Sequence, residues 1–470
     1  MVQLTLHSYG PRASFVLGET SVEVGPDVFI AAEGAGTFEG VSVEKKIAKL
    51  VADGKNLTKT AEKIHRESTR RGHASMTTSL HLQMEGTEIS RALSMLLVAP
   101  PFGSYLQESQ RRAPVTRSSL IIPRFEVEKH RKIFAETAEA LVDTYADLVK
   151  MGIELEDARY VLPICVKTSL FISCSFENYV AFLQLAEQSR KYVPDEIHEF
   201  AEKLKQVLSE IAPIMTRSRM WFQNRLTTYP FPNPFKPRDM FFEKILDGRF
   251  VDEPVLLSVH GDLAGFRLAE LFSSEQKEEL DSVNPLVYAV FLEPMSLVAY
   301  HQAIRHRTVE TAVESIYQAA ARAVQDKAKN VVTPPSIKKS SDTNDVFNAA
   351  VGTALQTYNE LIQDGCQPSK AVMILPQALK IHVIRGYNGF NLMHPSGFVA
   401  TRTCSYAQWE ERAIAYKILY EAMKKIPGLG EVAGEKCRQL GFCPEKSWCP
   451  IILKYHRYDD ETHQRFWKFD

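Results

Sequence analysis

Apolar residues recur at three-to-four spacing along several stretches of this chain, and each such stretch predicts an amphipathic helix. The longest covers residues 130–151, where Phe134, Leu141, Tyr145 and Leu148 share one face and Gly152 supplies the C-cap. The same spacing predicts helices over 45–69 (Ile47, Leu50 and Val51 on one side), 176–211 (Leu204, Val207, Leu208, Ile211), 263–272, 299–324, 346–363 before Gly365, and 406–425. A short helix over 155–160 should end at Pro163. Brief apolar runs at 2–6, 28–31, 80–84 and 255–259 read as strands, and 286–292 as a buried strand or helix. The apolar stretch 90–97 is stopped by Ala99-Pro100-Pro101, Gly72-His73-Ala74-Ser75 interrupts the chain earlier, and the polar run 336–345 reads as a mobile loop.

The pattern occurs twice. Sliding the chain on itself by 213 positions lays Phe134 on Phe347, Thr144 on Thr357, Tyr145 on Tyr358 and Leu148 on Leu361. The same shift lays Gly152 on Gly365, Ala158 on Ala371, Leu162 on Leu375 and Pro163 on Pro376. An ungapped run that includes a helix cap and a terminating proline points to internal duplication rather than shared amphipathicity. Pro230, Pro232, Pro234 and Pro237 form a stiff connection between the copies. The expected layout is a first repeat over 1–228, a Pro-rich linker over 229–250, a second repeat over 251–428 and a tail over 429–470. The expected class is α+β: two similar, mostly helical domains with a small sheet each. A fused pair of this kind is expected to pack face to face, with a site taking different residues from each half.

Composition narrows the function. Lys and Arg number 56 against 57 Asp and Glu, a balance that argues against bulk nucleic-acid or anionic-membrane binding and leaves anion recognition to local clusters. No apolar run approaches a membrane span. The first residues lack the basic-then-apolar order of a signal peptide, and seven thinly spread cysteines fit reduced thiols, so a cytoplasmic protein is expected. One local cluster stands out: Arg305-His306-Arg307 follows Gln302 by one turn, behind the apolar Leu292, Met295, Leu297 and Val298. Two guanidiniums flanking an imidazole call for a carboxylate or phosphate partner, unless they form a solvated basic turn.

These residues resemble the signature of the flavin-dependent thymidylate synthases: Arg-His-Arg-x-x-Ser-x-Asn-x-x-Ser-x-Arg, then Ala-Arg-x-x-Leu-Pro, then a late Arg before Ala-Gln-Trp-Glu. Each half carries a different portion. The second half keeps Arg305-His306-Arg307, Ser315, Arg402 and Ala407-Gln408-Trp409-Glu410, but has Glu310, Ala312 and Tyr317 where the pattern has Ser, Asn and Arg, and Val372 at the later Arg position. The first half has Ala99-Pro100-Pro101 in place of the basic triplet and Ala186 in place of the late Arg. It retains Ser104, Ser109, Arg111 and Ala158-Arg159-Tyr160-Val161-Leu162-Pro163, with Leu106 in place of Asn.

In that family, each site is built by neighbouring subunits of a homotetramer. The resemblance implies one complete deoxyuridylate site per chain, with Gln302, Arg305 and Arg402 from the second half and Gln107, Ser109, Arg111 and Arg159 from the first. Arg402 is the implied catalytic residue, stabilising charge that develops on the pyrimidine. FAD is implied against Arg305, His306 and Arg307, with further contacts from Ser75 and Asn388. The resemblance also implies NADPH as reductant, methylenetetrahydrofolate as one-carbon donor, and a homodimer equivalent to the family's tetramer. Two other readings stay open: a C5-modifying enzyme for another pyrimidine nucleotide, motivated by Leu106, Gln107 and His394, or a degenerate nucleotide-binding paralogue without catalysis. Cys437, Cys443 and Cys449, with His456 and His463 beyond, are spaced five apart rather than the two to four of zinc knuckles, so no metal is expected. No role is assigned to the tail.

Overall fold

The computed structural model describes residues 2–187, 191–222, 229–273, 282–457 and 460–467. The expected end of the first repeat at residue 228 lies outside them. The chain divides into two compact units, one made of residues 1–236 with 336–376 and the other of 237–335 with 377–470.

In the first unit, β1 (Gln3–Gly10) is followed by a hairpin of β2 (Ala13–Leu17) and β3 (Thr20–Val24), then β4 (His81–Ser90), β5 (Gly103–Gln107) and β6 (Lys167–Ser175). Four of these form an antiparallel sheet of order β1-β4-β6-β5. In the second unit, β7 (Val255–His260), β8 (Tyr288–Ser296), β9 (Glu310–Val313) and β10 (Lys380–Asn388) form a sheet of order β7-β8-β10-β9, the same topology. Even the irregularity repeats. Register shifts between Leu6 and Ser8 in β1, and between Leu256 and Ser258 in β7.

A second repeated device ends the second strand of each sheet. Ser90 caps the helix Arg91–Leu97 by accepting the Leu93 N–H at 3.0 Å. The Glu196 carboxylate accepts both the Ser90 N–H, at 2.7 Å, and the Ser90 hydroxyl. Ser296 caps the helix Leu297–Ala303 in the same way, through the Ala299 N–H at 3.0 Å, and Glu410 accepts its N–H at 2.7 Å and its hydroxyl at 2.6 Å. The chain thus holds two tandem homologous α+β domains, each mostly helical with a small four-stranded sheet, to which the first adds the β2–β3 hairpin, as the 213-residue repeat anticipates.

The long helices Glu128–Lys150 and Ser341–Gln363 both belong to the first unit and run antiparallel. Thr137 and Thr357 share a buried hydroxyl contact of 2.9 Å, and His130 at the start of one helix meets Asp364 beyond the end of the other at 3.0 Å. Phe134, Leu141 and Leu148 are fully buried, and so are Phe347 and Leu361; each such side chain is worth roughly 1.5–3 kcal/mol relative to exposure. The aligned prolines Pro163 and Pro376 bridge one another, and the Ile164 N–H donates to the Leu375 carbonyl at 3.0 Å.

Several expected elements differ. Residues 28–31 lie in the helix Pro26–Glu39, because Pro26 sits at its first turn with fixed φ, and four apolar residues cannot distinguish strand from helix. The run 45–69 splits into Val43–Ala52 and Leu57–Glu67, broken at Gly54 (φ 63°) and restarted by the Asn56 side chain as N-cap. The stretch 176–211 divides into Phe176–Glu187 and Asp195–Ile211, with Pro194 as N-cap of the latter. The stretch 263–272 becomes a 3-10 turn, Ala264–Phe266, and a helix, Leu268–Ser273. The loop at 336–345 is helical at both ends, in Pro335–Lys338 and Ser341–Gln363. The predicted helix 299–324 is three elements: Leu297–Ala303, β9 and Ile316–Gln325. Arg305-His306-Arg307 therefore lies on a turn rather than along a helix. β-Branched Thr308, Val309, Thr311 and Val313 favour extended chain there, and Ser315 restarts the helix.

Candidate functional site

In the second unit, the turn after helix Leu297–Ala303 delivers the basic triplet, and helix Phe398–Arg402 delivers Arg402. Arg402 donates its Nε–H to His306 Nε2 at 2.5 Å. The imidazole is edge-on to Phe398, with ring centres 4.9 Å apart. Burial, and then the charges of Arg402, Arg385 and Arg307, hold the His306 pKa well below the ordinary histidine value. His306 is therefore a neutral acceptor that orients Arg402. Burial lowers the Arg305 pKa to about 10, with Arg307 and Arg402 adding like-charge repulsion. Gln302, one turn earlier, has a buried Nε2 with no hydrogen-bond partner.

Below this cluster lies a charged layer that the sequence reading missed. The Glu411 side chain, fully buried, has a carboxylate oxygen 2.9 Å from Arg402 Nε, yet neither of its oxygens completes a hydrogen bond. Arg385, also fully buried, donates to Glu293 through Nε at 2.7 Å, and the Tyr387 hydroxyl donates to the other Glu293 oxygen at 2.6 Å. The Arg385 guanidinium lies 4.5 Å from the Phe398 ring centre. The signal available in sequence was charge inside the apolar β8 and β10, where an Arg or Glu is retained only when paired.

Asn388 ends β10. Its side-chain oxygen accepts the Asn391 backbone N–H at 3.1 Å and the Asn391 amide at 2.8 Å. Asn391 in turn donates to the Thr308 carbonyl at 2.9 Å, which ties Asn388 to the turn that carries the basic triplet. His394 stacks on Phe390, with ring centres 4.8 Å apart.

In the first unit, Ser109, Arg111 and Arg159 come together. Arg159 is 4% exposed and donates its Nε–H to the Glu156 carbonyl at 3.0 Å, while its buried Nη2 has no hydrogen-bond partner. Burial lowers its pKa. Arg111 lies 3.9 Å from the Glu156 carboxylate, and the Ser109 hydroxyl accepts the Arg111 N–H at 3.3 Å. A buried guanidinium nitrogen beside a second guanidinium and a hydroxyl suits a phosphate group. Gln107 points elsewhere, donating to the Ser94 hydroxyl at 2.9 Å and to Thr168 at 3.3 Å. Ser75 is exposed on the short helix Ala74–Thr78, and no hydrogen bond or ion pair links it to these groups among the described residues. In place of a basic triplet, Ala99 and Pro100 are buried, and the Pro100 carbonyl accepts the Tyr105 hydroxyl at 2.8 Å. A cavity of about 610 Å³ in the same unit, bordered by Glu88, Lys167, Glu196 and Glu199, includes none of the predicted site residues.

The family model described as Thymidylate synthase complementing protein matches residues 29–214 and again 276–428. This chain belongs to that family. The two matched segments fall one in each repeat. Among relatives named flavin-dependent thymidylate synthase, that of Sulfurisphaera tokodaii is 35% identical over 153 residues, 32% of this chain and 56% of the relative. That of Nitratidesulfovibrio vulgaris is 30% identical over 226 residues, 46% of this chain and 88% of the relative. This chain thus spans little more than half the length of the first of these family members. A crystal structure of a UMP/dUMP methylase from Streptomyces cacaoi bound with 5-Br dUMP matches 49% of this chain and 98% of that one, at 15% identity and a TM-score of 0.36. No described helix is long and apolar enough to cross a membrane.

Proposed function

We propose that this protein catalyses reductive C5-methylation of dUMP to dTMP, with FAD, NADPH and methylenetetrahydrofolate. The observation that carries the reading is complementarity: apart from the Asn, absent from both repeats as Leu106 and Ala312, the signature residues lost from one repeat are kept in the other, with Ser109, Arg111 and Arg159 gathered in the first unit and Arg305, His306 and Arg402 in the second. Arg159, Arg111 and Ser109 bind the substrate phosphate, for which the orphaned Arg159 Nη2 supplies a buried donor. Arg402, held by neutral His306, directs its remaining guanidinium N–H groups at the N3–O4 edge of the pyrimidine, where negative charge develops as C5 reacts. Gln302 and Arg305 hold the same nucleotide.

The groups present fit an anionic flavin nucleotide. Arg305 lies among like charges from Arg307 and Arg402, and the buried Gln302 Nε2 lacks an acceptor. Arg305, His306 and Arg307 would hold its pyrophosphate, with Asn388 and Ser75 as further contacts. When bound, the reduced flavin supplies the hydride, so no cysteine nucleophile is needed. The protein functions as a cytoplasmic homodimer, each chain standing in for two subunits of the family's tetramer. Gln107 is left out of the first-unit cluster and Leu106 is exposed, which favours as second reading a different pyrimidine nucleotide over a different reaction. The test is turnover of a pyrimidine nucleotide panel followed by mass spectrometry. Methylation of dUMP supports the first reading, methylation of UMP or dCMP alone replaces it with the second, and no turnover with flavin bound refutes both.

A further inference from the structure

Four of the seven cysteines converge at one place in the second unit. Cys404 follows helix Phe398–Arg402, Cys437 lies on helix Lys436–Leu440, Cys443 follows the left-handed Gly441 (φ 76°), and Cys449 caps the 3-10 turn Pro450–Lys454. All four are free thiols, and all four border one cavity of about 20 Å³. A space of that size admits a single water or ion. The other three cysteines, Cys165, Cys174 and Cys366, are buried in the first unit.

Cys437 and Cys443 pack with buried Ile452 and partly buried Ile451, and the four cysteines share one small cavity beside them. The histidines nearby are otherwise engaged: His456 bonds the Arg438 carbonyl at 2.8 Å and His463 the Glu445 carbonyl at 2.6 Å.

We propose that Cys404, Cys437, Cys443 and Cys449 form a closed tetrahedral zinc site that fastens the C-terminal tail to the loop following Arg402. Four thiolates and no open position select a soft, redox-inert ion in a structural role. Among the described residues, no three His, Cys, Asp or Glu side chains already stand as a metal-holding group, so the sulfurs turn inward about χ1 as the ion binds and four thiol protons are released. Knuckle spacing is unnecessary here, because three segments of the fold bring the ligands together. The family match ends at residue 428, so three of the four ligands lie beyond it. The tail also reaches this part of the unit by other contacts: the Tyr406 hydroxyl donates to the Ser447 carbonyl at 3.0 Å, and the Gln439 amide donates to the Met393 carbonyl.

The test is metal analysis of the full chain purified from zinc-supplemented medium, with cobalt substitution as an independent optical readout. About one zinc per chain is expected, and the cobalt form should show thiolate-to-cobalt charge transfer with the intense visible bands of tetrahedral ligation. Cys443→Ser and Cys449→Ser should each bind at least tenfold less zinc at equal protein concentration, while Cys366→Ser keeps the full amount. Less than a tenth of a zinc per chain in the folded wild type, or unchanged zinc in both tail variants, would overturn the site. So would fewer than seven thiols titrating in the unfolded, unreduced protein, because that outcome pairs these cysteines as disulfides.

Discussion

Arg402 and His306 are joined through Nε and Nε2 at 2.5 Å, although 96 positions and two strands, β9 and β10, separate them in the chain. The bond requires the imidazole to be neutral, and its surroundings ensure that: burial and three guanidiniums hold the His306 pKa well below the ordinary value. A fixed cation with its remaining N–H groups free of the histidine is suited to stabilise charge that appears only during reaction.

Arg402→Ala should therefore retain flavin absorbance while kcat for dTMP formation falls by about 10²–10³. His306→Ala should lower kcat less, because the Glu411 carboxylate still faces Arg402. Steady-state kinetics with the bound-flavin spectrum recorded on the same samples checks both. Equal losses of flavin and turnover in Arg402→Ala would mean that the residue serves the fold or the cofactor instead.

Glu293 and Arg385 form a buried pair, both fully inaccessible. Removing one partner strands the other charge, so Glu293→Gln or Arg385→Met should cost about 3–5 kcal/mol in denaturant unfolding. The double variant Glu293→Gln with Arg385→Met should lose less than the sum of the single losses. Additive losses would show that the two side chains act independently.

Glu196 gives a pH signature. Burial pushes its pKa up to about 7, against the opposing pull of the Ser90 hydroxyl and N–H. A carboxyl whose folded pKa is raised holds its proton more tightly when folded, so stability is highest below the unfolded value and falls as pH rises toward 7. The unfolding free energy of the wild type from urea melts should decline between pH 5 and 7, by up to about 3 kcal/mol from this group alone. Glu196→Gln should flatten that decline. An unchanged slope in the variant would place the dependence elsewhere.

Much of the fold was legible because duplication left two independent records of one pattern. The helices around Phe134 and Phe347 and the glycines Gly152 and Gly365 that end them follow from periodicity and from residues with restricted backbones, whereas the pairing of the two helices and the meeting of Pro163 with Pro376 emerge only in the structure. What failed was local. The stretch 299–324 carries apolar residues at helical spacing throughout, and only the β-branched cluster Thr308 to Val313 hints at the strand, whose partner β10 lies 70 residues on. The basic triplet was visible as chemistry, but the buried Glu293, Arg385 and Glu411 were not, since a charge within an apolar run reveals its partner only once strands are paired. The convergence of Cys404 on the tail cysteines was likewise invisible to spacing rules, which apply within one segment.

The proposed function assigns both Arg111 and Arg305 to the substrate. The direct measurement is equilibrium binding of dUMP to the flavin-loaded wild type, Arg111→Ala and Arg305→Ala. Each substitution should weaken binding by about 10–100-fold, the worth of a charge-assisted hydrogen bond. Wild-type affinity in either variant would contradict the account.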